Sequence, residues 1–288
     1  MGLHLASYNS KSFMKLHNII ILLGLSALSF AACDEHEVGE RWDDPVTTVA
    51  KKNVLLEDFT GQDCSNCPRA AETAHQLQET FGADRVVVVA LHGGPLSSSV
   101  ETDEAGLATP ESRDYNTRYM GSNSYPMGSI DRGAVQAYST WPAAVASRMQ
   151  VQPKVNLSFE GNGVTYDAEA KQINLNVKVR ANEAVKGNLQ VWLTESGVTA
   201  WQVLPIAPWY TDTYEQNHVF RATLNGMDGD AFTLDAEQEV EKEYTYTLPD
   251  LSSWKNQTPW QPTKLSVVVF FYNATDGVMQ VVDHAVVG

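Results

Sequence analysis

The fold of this chain is decided by the stretch Val54-Leu55-Leu56-Glu57-Asp58-Phe59, which leads into Cys64-Ser65-Asn66-Cys67. An apolar strand followed by a Cys-x-x-Cys pair that opens a helix is suited to thiol–disulfide exchange. Partial positive charge at a helix N-terminus lowers the pKa of a nearby cysteine from about 8.5 toward 7. A second cysteine one helical turn further on can then resolve a mixed disulfide. The stretch therefore predicts a candidate redox centre.

The residues around this pair predict alternating strands and helices. Pro68 is acceptable in the first turn of a helix, and Ala70, Ala74 and Leu77 follow at helical spacing until Gly82 ends the run. Residues 86–91 form a continuous apolar run, as expected of a strand covered on both faces. We expect a parallel strand–helix–strand unit, then a short helix at Thr109-Pro110, a strand over 127–131 and a helix over 141–149.

The pattern changes near Pro153, and only strand signals follow it. Apolar and polar residues alternate through Ile173, Leu175, Val177 and Val179, which is typical of a half-buried strand. Seven such segments predict an antiparallel β-sandwich of immunoglobulin-like type. They are residues 154–160, 172–180, 188–195, 217–224, 239–248, 264–272 and 277–287. The predicted fold class is α/β plus all-β, with one domain over 51–152 and the sandwich over 153–288.

The N-terminal residues predict export. Residues 19–32 are mostly apolar but too short to span a bilayer, and the stretch 1–32 has the form of a signal peptide, for which Met14 is a more natural start than Met1. The small residues before Cys33 resemble a bacterial lipobox, although Phe30 stands where leucine is usual. We therefore expect lipidation of Cys33 and a polar, lipidated tether over 33–50. A free Cys33 behind an ordinary signal peptide is the alternative.

The charge of the chain excludes one class of partner. The formal net charge is −15, and it becomes −17 when Lys11 and Lys15 leave with the signal peptide. Nucleic-acid binding depends on Lys and Arg against phosphate, so we expect no nucleic-acid partner. The acidic run 34–37 resembles an export tag for the outer face of the outer membrane, and a solvated tether is the alternative. The predicted location is the outer membrane, on its periplasmic or its surface-exposed face.

The candidate redox centre resembles that of the thioredoxins. In that family a buried aspartate lies six residues before the first cysteine, as Asp58 does here, and a cis-proline faces the disulfide, for which Pro126 is the candidate. The resemblance implies that Cys64 is the attacking thiolate and Cys67 the resolving thiol. Asp58 would relay a proton to or from Cys67, and Pro126 would leave room for a substrate strand.

Some residues depart from the thioredoxin pattern and leave alternatives open. Ser65-Asn66 replaces Gly-Pro, and Asp63 replaces a tryptophan, so the carboxylate of Asp63 should raise the pKa of Cys64. The cysteines could form an inert structural disulfide, could bind metal with His75 or His92, or could be an ancestral remnant. A four-residue loop stabilises little, by roughly 2 kcal/mol, which disfavours a purely structural role. A second Cys-x-x-Cys for zinc is missing, so we expect neither metal nor cofactor.

Several segments together resemble the outer membrane protein 28-related lipoproteins of Bacteroidetes. These segments are residues 57–61, 64–68, 88–92, 125–128, 130–132 and 217–222. The resemblance implies a thioredoxin-like domain followed by a β-sandwich on an outer-membrane lipoprotein, and it implies no defined reaction.

Two functions follow as hypotheses. The first is a thiol–disulfide oxidoreductase that is anchored through Cys33 and acts on thiols or disulfides of exported proteins. The second is a surface binding or adhesion lipoprotein, in which the cysteine pair is structural or vestigial and the sandwich binds a glycan or protein. The aromatic residues between Trp201 and Tyr214 motivate the second hypothesis, although packing within a loop explains them as well.

Overall fold

The computed structural model describes residues 51–100, 105–121, 124–251 and 260–288. The predicted signal peptide, Cys33 and the tether up to residue 50 lie outside the described residues. The helices are α1 (Cys67–Phe81), α2 (Pro110–Tyr115) and α3 (Trp141–Arg148), with a π-helical turn at Asn116–Met120 and 3-10 turns at Tyr138–Thr140 and Pro262–Lys264. None of these helices has the length and apolar content that a membrane-spanning helix needs.

The structure is mostly β-sheet. The strands are β1 (Val54–Thr60), β2 (Val86–His92), β3 (Met127–Ile130), β4 (Val155–Asp167), β5 (Gln172–Ala181), β6 (Val185–Glu195), β7 (Val198–Val203), β8 (Tyr210–Gln216), β9 (Val219–Thr223), β10 (Asp230–Leu234), β11 (Glu239–Thr247), β12 (Leu265–Asn273) and β13 (Gly277–Ala285). All seven strands predicted after Pro153 are present, as β4, β5, β6, β9, β11, β12 and β13.

The local elements around the cysteines form where the sequence predicts them. Strands β1 and β2 pair in parallel and flank α1, and Ala70, Ala74 and Leu77 are buried on one face of that helix. Helix α1 ends at Gly82, which has φ +102° and whose N–H donates to the carbonyl of Gln78. Helix α2 begins after Thr109, whose hydroxyl accepts from the Ser112 N–H in a capping box.

The stretch from Trp201 to Tyr214 differs from the expected loop. Strands β7 and β8 pair there as an antiparallel hairpin, and Pro205 and Pro208 lie in the turn between them. Strand β10 was not predicted either, and it pairs with β6. These strands are short and only partly buried, so their apolar alternation is faint in the sequence.

One large sheet runs through both predicted domains. Its strand order is β13-β12-β6-β9-β2-β1-β3, and β9 joins the two parts because it pairs antiparallel with β6 and in parallel with β2. The described residues between 51 and 288 accordingly belong to one compact unit. The boundary at residue 153 stays a prediction about sequence organisation, since strands from either side of it share a sheet.

Each face of the large sheet carries its own core. One face packs under α1 and α3 near β1 and β2, and under the three-stranded sheet β11-β5-β4 at the other end. The opposite face has a core that extends from Leu55 and Phe59 to Trp192 and Phe270, covered by Tyr115 of α2. The two sheets therefore face each other as a β-sandwich does, while the thioredoxin-like and immunoglobulin-like assignments stay predictions.

Candidate functional site

The cysteine pair lies between β1 and α1. Cys64 and Cys67 form a disulfide with an S–S distance of 2.11 Å and a Cα–Cα distance of 5.4 Å. Helix α1 begins at Cys67 itself, so Cys64 precedes the first turn, and the Cys67 N–H donates to the carbonyl of Cys64 at 3.2 Å. Both residues are buried, with 3% and 2% of their surface exposed. A large reaction partner therefore cannot reach the sulfurs in this conformation.

Asp58 lies on β1 at the register position opposite Ala90 of β2 and Gly128 of β3. Its side chain is 3% exposed, and its Oδ1 has no hydrogen-bond partner within the described residues. Burial raises the pKa of Asp58 to about 8. The carboxyl is therefore mostly protonated at neutral pH, and it is able to donate or accept a proton near that pH.

Pro126 lies directly before β3, the edge strand next to β1. Pro126 is buried and its peptide bond with Tyr125 is cis. The hydroxyl of Tyr125 donates to Asn116 at 2.8 Å. The structure thus places the cis-proline directly before β3, the strand next to Asp58, and the roles of both residues in exchange stay predictions.

The β7–β8 hairpin is bonded to the cysteine loop. Gln202 Nε2 donates to the carbonyl of Cys64 at 3.0 Å and to that of Gly61 at 3.2 Å, and the Val203 N–H donates to the carbonyl of Gln62 at 2.9 Å. Gln216 Nε2 in turn donates to Gln202 Oε1 at 3.0 Å. A segment more than 130 residues away in the chain therefore holds the loop that carries the disulfide.

The two possible histidine ligands of a metal, His75 and His92, lie in different environments. His75 is exposed on α1, with Nε2 3.4 Å from Glu79. His92 is buried at the end of β2, and burial lowers its pKa to about 3. Among the described residues, no group of three or more His, Cys, Asp or Glu side chains is arranged to hold a metal ion.

Comparison with protein families matches residues 113–288 to the family described as Outer membrane protein Omp28. The chain belongs to this family. Membership of the Omp28 family supports the outer-membrane assignment. Because the matched range begins after Cys64 and Cys67, it provides no information about the role of the cysteine pair. The comparison with curated proteins found no significant match.

Among solved structures, this Omp28-family chain resembles HBP35 of Porphyromonas gingivalis with a TM-score of 0.59 at 15% identity, covering 82% of this chain and 76% of that one. At this identity the resemblance concerns the fold alone. A β-glucosidase from Listeria innocua in complex with glucose matches with a TM-score of 0.25 at 16% identity, over 47% of this chain and 16% of that one. That similarity is too low to bear on fold or function.

Gln202 and Gln216 are the site residues that sequence reasoning missed. Glutamine in a short strand has no distinctive spacing, and the partners of Gln202 lie in a remote loop. The aromatic residues around them were noticed, but Trp201 and Tyr210 stack on each other across the hairpin, with ring centroids 5.9 Å apart. The turn of the hairpin exposes Ile206 and Trp209, at 64% and 63%.

Proposed function

We propose that this Omp28-family protein is a thiol–disulfide oxidoreductase of the outer membrane that acts on cysteines of exported proteins. The observation that carries the proposal is Asp58, a buried carboxyl without a hydrogen bond to Oδ1 among the described residues, on the strand that leads to Cys64 and Cys67. A carboxyl with a pKa of about 8 is suited to pass a proton to or from a thiol at neutral pH. A purely structural disulfide needs no such group.

In the proposed reaction the Cys64 thiolate attacks a substrate disulfide. One substrate sulfur leaves as a thiol and a mixed disulfide with Cys64 forms. Asp58, ionised after it has given its proton to this leaving sulfur, takes the proton from Cys67, whose thiolate attacks Cys64 and releases the second substrate sulfur as a thiolate. Two electrons pass from the cysteine pair to the substrate, and the reverse sequence oxidises a substrate dithiol.

The test compares the two cysteine variants in the full chain. Cys64→Ala should abolish reduction of insulin disulfides, whereas Cys67→Ala should lose turnover but accumulate a mixed disulfide that mass spectrometry detects. A glutathione titration should place the reduction potential of the pair between about −120 and −270 mV. A potential below about −300 mV, or insulin reduction that persists in Cys64→Ala, would overturn the proposal.

Exchange with a protein substrate requires the hairpin to move. Gln202→Ala removes the bonds to the carbonyls of Gly61 and Cys64, each a neutral hydrogen bond with a net value of about 1 kcal/mol. We therefore expect the disulfide of Gln202→Ala to be reduced about five- to thirtyfold faster by dithiothreitol. Gln172→Ala, which removes an exposed side-chain bond to Thr247 in the other sheet, is the control and should leave the rate unchanged.

The anchor at Cys33 is part of the same proposal. Small residues before Cys33 and the outer-membrane family support it. Cells that express the chain should incorporate labelled palmitate into the wild type and not into Cys33→Ala. Protease treatment of intact cells then decides between the periplasmic and the surface-exposed face.

A second candidate function is favoured by the exposed apolar turn of the hairpin. Ile206, Trp209 and Tyr210 are more exposed than large apolar side chains usually are, which marks a contact surface for a glycan or protein. Trp209→Ser should then abolish binding in a glycan or envelope-protein array. The exposed Val151→Ser is the matched control, and equal binding by both variants would exclude the turn as the contact.

A further inference from the structure

A cavity of about 580 Å³ opens beside Asp58, on the face of the sheet that α1 covers. Its walls come from β1, β2, helix α1 and the segment that joins β8 to β9. The volume lies within the range of small-molecule sites, about 300–1,000 Å³. The disulfide-exchange reaction proposed above does not use this space.

Asp58 shares the cavity lining with other ionisable groups. They are Glu72 and His75 on α1, Tyr214 and Glu215 on β8, and His218 in the turn before β9. Burial, and then the negative charges of Asp58 and Glu72, raise the pKa of Tyr214, which shows that these groups lie close together. The described lining contains three carboxyl groups and neither Lys nor Arg.

The histidines do not reverse this charge. Burial, followed by the nearby His75, lowers the pKa of His218, so its ring is neutral at physiological pH. His75 has a carboxylate neighbour in Glu79 on the same helix. The described walls of the cavity thus combine carboxyl groups with neutral polar side chains such as Gln78 and Asn217, and with apolar contributions from Pro68, Ala71 and Val88.

Among the described residues, Asp58 Oδ1 lacks the kind of partner that a buried carboxyl normally has. A buried carboxyl normally has a hydrogen-bond partner, because a polar group removed from water without one is destabilising, and its ionised form needs a cation as well. Glu57, the preceding residue, has such a partner in Arg132 at 3.3 Å. Asp58 lacks one for Oδ1 within the described chain, and the cavity beside it is large enough to admit a group from outside.

We propose that this cavity binds an organic cation, with a primary ammonium group paired to the Asp58 carboxylate and its aliphatic chain against Pro68 and Val88. The ammonium group belongs either to a free small amine or to a lysine side chain of a partner protein. Glu72 at the cavity wall provides a second negative charge for the ligand.

The binding should depend on pH. An ammonium ion pairs with the ionised form of Asp58, whereas the empty site holds a proton up to about pH 8. Binding therefore releases a proton, and the association constant should rise by up to about tenfold per pH unit between pH 6 and 8.

The experiment is calorimetric titration of the full chain in its disulfide form. The probes are 1,4-diaminobutane, its uncharged analogue 1,4-butanediol, and an acetylated, amidated pentapeptide Gly-Gly-Lys-Gly-Gly. We expect the diamine or the lysine peptide to bind and the diol not to bind. The tighter of the two cationic probes identifies the source of the ammonium group.

Two pairs of variants assign the contact. Asp58→Asn should weaken binding by about tenfold or more and remove the pH slope, while Asp63→Asn, an exposed aspartate outside the cavity, should not. Glu72→Gln should weaken binding less, and Glu79→Gln on the same helix should leave it unchanged. Failure of both cationic probes to bind, equal binding of the diol, or equal effects of Asp58→Asn and Asp63→Asn would overturn the proposal. Because no thiol takes part, these outcomes are independent of the test of disulfide exchange.

Discussion

Glu57 and Asp58 are neighbours on β1, and both are buried, but they lie on opposite faces of the large sheet. Glu57 meets Arg132, whose guanidinium also lies over the rings of Tyr272 and Tyr119, at 4.1 and 4.4 Å from their centroids. Asp58 meets the cavity beside α1. One face of the strand therefore uses its carboxylate to hold the fold together, and the other keeps a carboxyl available for chemistry or ligand binding.

A second buried carboxylate, Asp131, is also paired with cations. Asp131 Oδ2 is 2.9 Å from Lys52 Nζ and 2.7 Å from Arg148 Nε, and its Oδ1 accepts from the Leu55 N–H at 2.9 Å. Arg148 also donates to the carbonyl of Val278 at 3.0 Å, which ties α3 to β13. Asp131 and Glu57 are thus paired with cations from distant segments of the chain, whereas Asp58 Oδ1 has no partner among the described residues.

The largest expected effect comes from removal of the unpaired carboxyl. The folded state holds the Asp58 proton up to about pH 8, whereas the unfolded state releases it near the ordinary aspartate pKa of 3.8. The free energy of unfolding therefore falls as the pH rises between these values, by up to about 1.4 kcal/mol per unit. Asp58→Asn should leave stability unchanged near pH 4 and raise it by several kcal/mol at pH 8.

Urea denaturation of wild type and Asp58→Asn from pH 4 to 8 measures this difference. The control is Asp63→Asn, which removes an exposed carboxyl and should follow the wild type at every pH. Parallel curves for wild type and Asp58→Asn would mean that Asp58 has a partner or reaches solvent.

Removal of the paired carboxylate should have the opposite sign. Glu57→Gln leaves the buried guanidinium of Arg132 without its charge partner, which typically costs about 3 kcal/mol or more. Denaturation at pH 7 measures the loss. The double variant Glu57→Leu/Arg132→Met removes both charges and should recover most of it, because apolar residues of similar volume often replace buried ion pairs at little cost. A loss below about 1 kcal/mol in Glu57→Gln would show that the aromatic rings alone hold Arg132.

The smallest effect is expected at Arg148, because Asp131 keeps a second partner. The Arg148 side chain is 29% exposed, while that of Lys52 is fully buried. Arg148→Met should lower the free energy of unfolding by about 1–2 kcal/mol, and Lys52→Met by more. Equal losses of unfolding free energy in the two variants would mean that Arg148 and Lys52 contribute equally to stability although they differ in burial.

Much of the first part of the chain was predictable, because its signals are local. Pro68 and the spacing of Ala70, Ala74 and Leu77 predict α1, and the Thr109-Pro110 pair predicts the start of α2. The alternation in residues 172–180 likewise predicts β5, which is buried at every second position. In each case the period of the apolar residues carries the information, and no distant partner is needed.

The hairpin and the sheet join were not predictable in the same way. Strand β9 contacts β2 at one register position, where Ala90 lies opposite Val219 and its N–H donates to the carbonyl of His218 at 2.8 Å. Backbone pairing of this kind uses the N–H and C=O groups that nearly every residue carries, so the side-chain pattern does not predict it. The large sheet, and with it the wall of the cavity, therefore depends on long-range contacts.

Local patterns in the chain are enough to predict the order strand, cysteine pair, helix, strand and to place Asp58 on a buried strand, because hydrophobic period and proline position act within a few residues. Which carboxyl has a partner depends instead on long-range packing. Arg132 reaches Glu57 across 75 residues and Gln202 reaches the Cys64 carbonyl across 138. Such contacts depend on which face and which edge meet in space, and that is set when the long-range strand pairs form.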